Sequence, residues 1–291
     1  MDPVPVTVVV ATRDRADDLR TTLPRHETEV VVVDNGSTDD TVAVLAAEAA
    51  RRRGAGLPGL RTLRPGRNLG ATARNLGVRA ARNDVVAFAD DDSWWEPGAL
   101  RRAAELFAAH PRLAVLAART MVGVGAGRPE ELDPVCRDMA SAPWGRDDDL
   151  PGPHVLGFVA CAAVVRRGPF LASGGFDGVV HFGGEEERVT YDLLDAGWGL
   201  AYVEDVVAHH HPSPSRSSAA VRRELLQRNA LLTAWMRRPL SVAARSTLVA
   251  LHAGGEHRRG ALAAVPRLPA ALGQRRGPSR VVEERLAVRD R

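Results

Sequence analysis

The chain has 291 residues, 45% of them hydrophobic and 26% charged, a balance that suits one large α/β domain with an appendage and excludes a disordered or fibrous chain. No apolar run approaches the roughly 18 residues of a membrane span, and the N-terminus opens into a strand-like run rather than a basic and then apolar leader, so a cytoplasmic protein is expected. There is no lysine, which excludes a Walker A, a kinase or a Schiff-base lysine, and Cys136 and Cys161 are too few and too far apart for a disulfide framework or a CxxC metal site.

Val6 to Ala11 is a β-branched run of the kind that forms a strand buried on both faces. Asp14 to Leu23 reads as a short helix and Glu29 to Val33 as a second strand. Thr38 to Arg53 is an alanine-rich helix with Ser37 or Thr38 able to cap it. Leu60 to Leu63 suits a third strand, Leu69 to Arg82 a helix and Val85 to Ala89 a fourth strand. Pro97 to Ala109 is a helix with proline near its first turn, and Leu113 to Ala118 a further strand. This alternation predicts a mostly parallel sheet flanked by helices. From 123 to 153 the pattern breaks into Gly, Pro and Asp, including Asp147-Asp148-Asp149, and reads as a long mobile loop beside the site. Strands resume at Phe158 to Val165 and Leu200 to Val203, separated by a Gly174-Gly175 turn and a helix from Glu185 to Ala196. After Pro214 the chain is helical and arginine-rich, broken by Pro239, Pro266 and Pro269. There are no internal repeats.

The net charge of +3 hides an asymmetry: from Ala219 onward the chain carries +10, and the rest carries −7. Such a tail suits an anionic partner, membrane headgroups or a phosphorylated acceptor, or else is a solvated arginine-rich surface. Its arginine pairs recur among Leu231, Leu232, Trp235 and Leu248, a mixture that fits either an interfacial segment or packing on the body.

Four stretches carry chemistry. The strand Val85 to Ala89 ends in Asp90-Asp91-Asp92, and ligands collect at the carboxyl ends of strands in open α/β sheets. Three adjacent carboxylates need a counter-charge, either a hard divalent cation such as Mg²⁺ or Mn²⁺ or the N-terminus of the next helix. The second strand ends in Asp34-Asn35-Gly36-Ser37, which can meet a base or ribose or form a plain turn. Asp34 follows Thr12 near the spacing of a ribose-binding acid, but the first turn, Thr12-Arg13-Asp14-Arg15, has no GxGxxG, which argues against a dehydrogenase. Glu185-Glu186-Glu187 opens a helix as dipole-stabilised residues or as a general base. His209-His210-His211 ends a strand, where His210 points opposite to its neighbours and one facing set can join a site.

In this order the segments resemble the GT-A glycosyltransferases of family 2 across roughly Val4 to His211. The resemblance implies a Rossmann-like GT-A domain over residues 1–212, with a nucleotide half to about 122, an acceptor half from about 154, and a helical basic extension over 213–291. It implies an inverting, single-displacement transfer from a nucleoside-diphosphate sugar to an acceptor hydroxyl, with Mn²⁺ or Mg²⁺ as cofactor. Asp90-Asp91-Asp92 resembles the DxD motif, with Asp92 as the metal ligand and Asp90 or Asp91 reaching the ribose or metal shell. His210 resembles the late histidine at the metal or diphosphate. Ala11, Thr12, Arg13, Asp34, Asn35, Asn68, Arg74 and Asn75 fall to the donor. Glu186, or else Glu185 or Glu187, falls to the base, and Glu186 stands where the family more often has Asp. Gly174 and Gly175 fall to the acceptor side. Trp94 and Trp95 either stack on a sugar or acceptor or pack in the core. A non-catalytic sugar-nucleotide-binding module and a nucleotidyltransferase are the alternatives; the second needs a phosphate loop after strand one that is not seen. No nucleic-acid partner is expected, and the tail allows peripheral contact with an anionic membrane.

Overall fold

Strand β1 (Val6–Thr12) is buried along nearly its whole length because it lies between two other strands. It pairs in parallel with β2 (Glu29–Asp34) on one side and with β4 (Val85–Ala89) on the other, and β3 (Leu60–Leu63) extends the parallel set beyond β2. A computed structural model of the chain describes residues 4–123, 129–213, 218–277 and 279–289. After β1 the chain first adds β2 and β3 on one flank and then crosses to place β4 on the other. That reversal opens a crevice at the carboxyl ends of β1 and β4.

The full order is β3-β2-β1-β4-β8-β6-β9-β5, with β7 beside β6. The remaining strands are β5 (Ser93–Trp95), β6 (Leu113–Val122), β7 (Glu131–Leu132), β8 (Ala163–Arg166) and β9 (Gly199–His210). Here the sheet is mixed. β8 runs antiparallel between β4 and β6, β6 and β9 are parallel, and β5 pairs antiparallel with the end of β9. The α/β class with a mostly parallel core and a helical C-terminal region is as expected from the sequence, whereas the short strand β5 is not visible in any local pattern.

Alternate residues of each strand feed two cores. Val8 and Val10 face a layer built by α1 (Ala16–Thr22), α2 (Thr41–Gly54) and α4 (Ala99–Ala109). Val9, Val31 and Phe88 face α3 (Thr72–Ala80), α5 (Pro134–Ala140), α6 (Arg167–Ala172) and α7 (Glu186–Asp195). Neither Ser37 nor Thr38 caps α2, which starts three residues later. Both tie the second loop to the first instead: Ser37 Oγ accepts from the Asp14 amide at 3.0 Å, and the Thr38 amide donates to Asp14 Oδ1 at 2.6 Å. Within 123–153 the structure places β7 and α5, where a long irregular loop was expected. Asp133 caps α5 at the Val135 amide, and Arg112 holds Asp147 and Asp149 at 2.5 Å. Residues 124–128 of that stretch lie outside the described residues. Ala160–Ala162, expected within a strand, forms a single 3₁₀ turn before β8.

The extension consists of α8 (Ala219–Arg237), α9 (Leu240–Ala253), α10 (Gly255–Ala264), α11 (Leu268–Gly273) and α12 (Arg280–Arg289). Much of it packs on the body. Leu232 and Met236 join Val179 and Val180 in one cluster, and Val282 and Leu286 join Leu156 and Tyr191 in another. The backbones of α8 and α10 approach so closely that a Cβ at Gly260 would lie 2.7 Å from the Glu224 carbonyl. Leu231 and Leu232, which an interfacial segment would need at its surface, are buried, while Leu248 is exposed. Arg237 is also buried and grips Asp192, which Arg188 holds from the other side. Arg237→Ala should therefore lower stability by about 2 kcal/mol, since it removes charge-assisted hydrogen bonds to a half-buried carboxylate that Arg188 still compensates. A urea midpoint unchanged from the parent chain would show that the extension does not lean on this contact.

Candidate active site

The aligned strands deliver polar residues to one edge: Thr12 lies opposite Asp34 in register, and Ala89 opposite Val10. A cleft of about 640 Å³ opens there, lined by Ala11, Thr12, Arg13, Asn35, Asn68 and Arg74 and by the three aspartates. Several donor candidates are already engaged in shaping it. The Asn35 amide is used twice, accepting from the Leu69 amide at 2.7 Å and donating to the Gly70 carbonyl at 3.2 Å. Asn68 Oδ1 accepts from the Gly70 amide at 2.9 Å. Gly70 is required there: it has φ +59°, and a Cβ would sit 2.3 Å from the His181 carbonyl. Asp34 is buried, with Oδ1 on the Ser37 amide at 2.9 Å and Oδ2 3.3 Å from Arg64.

The carboxylate triplet leaves β4 in a tight turn, where Ser93 Oγ accepts from the Asp90 amide at 2.7 Å. Strand β5 follows at once and pairs Ser93 with His210, Trp94 with His209 and Trp95 with Ala208. This pairing carries β9 back across the triplet, so His210 Nε2 lies 3.3 Å from Asp92 Oδ1. Asp92 Oδ2 accepts from the Ser213 amide at 2.9 Å. Strand alternation sends His209 and His211 to the other face, where both meet Glu130. Asp91 accepts from Thr12 Oγ1 at 3.1 Å and lies 3.8 Å from Arg15. Burial, reinforced by the charges of Asp90 and Asp92, raises its carboxyl to about 8.

Arg74 links the triplet to the acidic helix start. It is buried, contacts Asp90, and lies 3.4 Å from Glu185. Glu185 is buried too, and among the described residues its second oxygen has no hydrogen-bond partner. The half-buried Glu186 accepts from the Ala160 amide at 3.3 Å. Burial raises the pKa of both, with the Glu185 charge adding to the effect on Glu186. Glu187 turns away and meets the Tyr191 hydroxyl. Five carboxyl groups thus face two arginines, Arg15 and Arg74, an excess of negative charge that suits a hard divalent cation. Asp90, His210 and the buried thiol of Cys161 have ligand atoms within 4.8 Å of one another, and Asp92 joins through His210.

Other candidates lie elsewhere. Trp95 is in the core, with Nε1 donating to the Phe88 carbonyl at 3.2 Å. Trp94 is buried, stacked on His209 with Arg25 4.0 Å from its ring centre. Asn75 binds the backbone of Phe176 through both amide atoms, at 2.8 and 2.9 Å, and so fixes the Gly174-Gly175 turn from behind. A Cβ at Gly175 would lie 2.4 Å from Asn75 Oδ1. No sequence motif assigns Arg15, Cys161, His181 or Phe182 to the site, nor Arg222, Leu225 and Arg228 of α8, which complete the cleft. The spacing of the last three on one helical face was a usable signal.

A family model described as glycosyl transferase family 2 matches residues 7–172. A pre-mycofactocin glycosyltransferase of Mycobacterium tuberculosis is 31% identical over an alignment of 224 residues that covers 72% of this chain and 44% of the relative. The chain belongs to glycosyltransferase family 2. It spans less than half the length of the curated relatives that it matches. Among solved structures, a mannosyltransferase from Pyrobaculum calidifontis in complex with GDP-Man and Mn²⁺ is 21% identical, covering all of this chain and 82% of that one, with a TM-score of 0.60. S. aureus TarS in complex with UDP-GlcNAc is 17% identical over 92% of this chain and 81% of that one, with a TM-score of 0.57. These likenesses establish a GT-A-like fold.

Proposed function

We propose that the chain transfers a glycosyl residue from a nucleoside-diphosphate sugar to an acceptor hydroxyl with inversion. The observation that carries this reading is the convergence, at the crevice of a family 2 fold, of Asp90 to Asp92, His210, the Arg74–Glu185 pair and Glu186. A divalent cation fits the donor set of Asp92, Asp90 and His210, and when bound it offsets charge on the departing diphosphate. The protein groups do the rest. Thr12 and Arg15 fix Asp91, and Arg74 fixes Asp90 and Glu185, so the floor of the cleft is ordered before ligand arrives. Glu186 accepts the acceptor proton at a carboxylate oxygen as the acceptor oxygen bonds to the anomeric carbon and the bond to the diphosphate breaks. A panel of UDP- and GDP-sugars with and without Mn²⁺ tests this. Thermal stabilisation by at least one donor, together with slow release of nucleoside diphosphate, is expected. Stabilisation without release would instead support a non-catalytic binding module.

Peripheral membrane contact is proposed for the C-terminal extension. No described helix is long and apolar enough to cross a membrane. Helix α9, however, exposes Leu240, Leu248 and Val249 beside Arg245 within the +10 tail, a composition suited to an anionic bilayer surface. Co-sedimentation with anionic but not neutral vesicles, weakening as salt rises, is the expected outcome. Indifference to anionic vesicles at low salt would remove the membrane from this account.

A further inference from the structure

Helix α8 brings cations to the wall of the cleft that faces the carboxylates. Arg222, Leu225 and Arg228 recur at three-residue intervals, so one face of the helix overlooks the cavity. Arg228 is half-buried and donates to the Val180 carbonyl at 3.2 Å and to Asn229 Oδ1 at 2.9 Å, neither of them an anion. Among the described residues the exposed Arg222 forms no ion pair. Behind them stands Arg267, whose guanidinium donates to the Val179 carbonyl at 2.6 Å. Burial and then Arg267 hold the Arg228 pKa down. The His181 imidazole is depressed by burial and by both arginines, and among the described residues no acid offsets either shift. Arg15 and Arg74 on the opposite side are each matched to a carboxylate. The α8 wall of the cleft thus gathers like charge that, among the described residues, has no ion pair of its own, and it gains from a ligand of opposite sign.

We propose that Arg222 and Arg228 form a phosphoryl-recognition site, which makes the C-terminal extension part of the substrate site. Guanidinium groups favour phosphate through paired, charge-assisted hydrogen bonds. The phosphoryl group belongs either to the donor's diphosphate or to an acceptor that carries a phosphate. This inference rests on the donor-binding reading above.

The test uses the full chain with Arg222→Gln and, separately, Arg228→Gln, whose melting temperatures report folding. Among the described residues the Arg222 side chain has no hydrogen bond or ion pair to lose, so its variant keeps the experiment interpretable if Arg228→Gln loosens the Val180 loop. Titrations with UDP, GDP, uridine and inorganic phosphate are compared. If the site takes the donor's diphosphate, Arg222→Gln weakens UDP or GDP about tenfold or more and leaves uridine unchanged. If it takes an acceptor phosphate, nucleotide affinity holds, but inorganic phosphate no longer binds the nucleotide-saturated protein. Unchanged binding of every probe by both variants, with the parent chain binding UDP or GDP, overturns this proposal alone. A parent chain that binds neither nucleotide nor phosphate overturns the donor-binding reading together with it.

Discussion

Asp92→Asn is expected to abolish metal-dependent donor binding and to lower turnover by about a thousandfold. The substitution keeps the side chain's shape and the acceptor for the Ser213 amide, but removes the charge beside His210. A divalent cation supplies several kcal/mol of stabilisation to a departing diphosphate, so losing its ligand should cost that order of rate. Titration with Mn²⁺ alone, followed by calorimetry or paramagnetic resonance, separates loss of metal from loss of fold. Full activity in excess chelator would sink the metal reading. If Asp90→Asn loses Mn²⁺ affinity while Asp92→Asn keeps it, the cation sits instead among Asp90, Cys161 and His210.

Glu186→Gln should reduce transfer by roughly a hundredfold or more while leaving donor affinity nearly unchanged, because the amide keeps the shape but cannot accept a proton. Glu185→Gln should behave differently. It breaks a buried pair with Arg74, which also holds Asp90, so donor binding and stability should suffer together. Only the ionised base works, and burial raises the Glu186 pKa. The parent rate should therefore climb with pH through a limb above the ordinary carboxylate range, and Glu186→Gln should lose that limb. A hundredfold loss in Glu185→Gln with normal donor affinity, against a near-normal Glu186→Gln, would move the base by one residue.

The valine runs of β1 and β2 and the apolar run of β4 determine by themselves that a buried parallel sheet forms. The polar residues at their carboxyl ends determine where its ligand edge lies. That is local information: a continuous β-branched run reports burial on both faces, and the residue that ends it reports the edge. The order of the acidic triplet, the Gly174-Gly175 turn, the acidic helix start and the histidines carries the family resemblance by itself. Direction and pairing were not local. Strand β5 has three residues and no period of its own, yet its pairing with β9 sets His210 against Asp92 across more than a hundred positions of chain. Asn35 reads as a ligand group because its amide can bind one, and Asn75 because the family resemblance implies it. Tertiary structure commits those amides to the backbone of Leu69 and Gly70 and of Phe176, since a buried loop must satisfy its peptide groups before a ligand can compete. The arginines of the extension show the same limit. Composition gave their sum, but only the packing of α8 and α12 on α7 decided which are spent on Asp192 and on backbone carbonyls and which overlook the cleft. Charge is additive along a sequence, whereas what a charge faces depends on which distant elements come into contact.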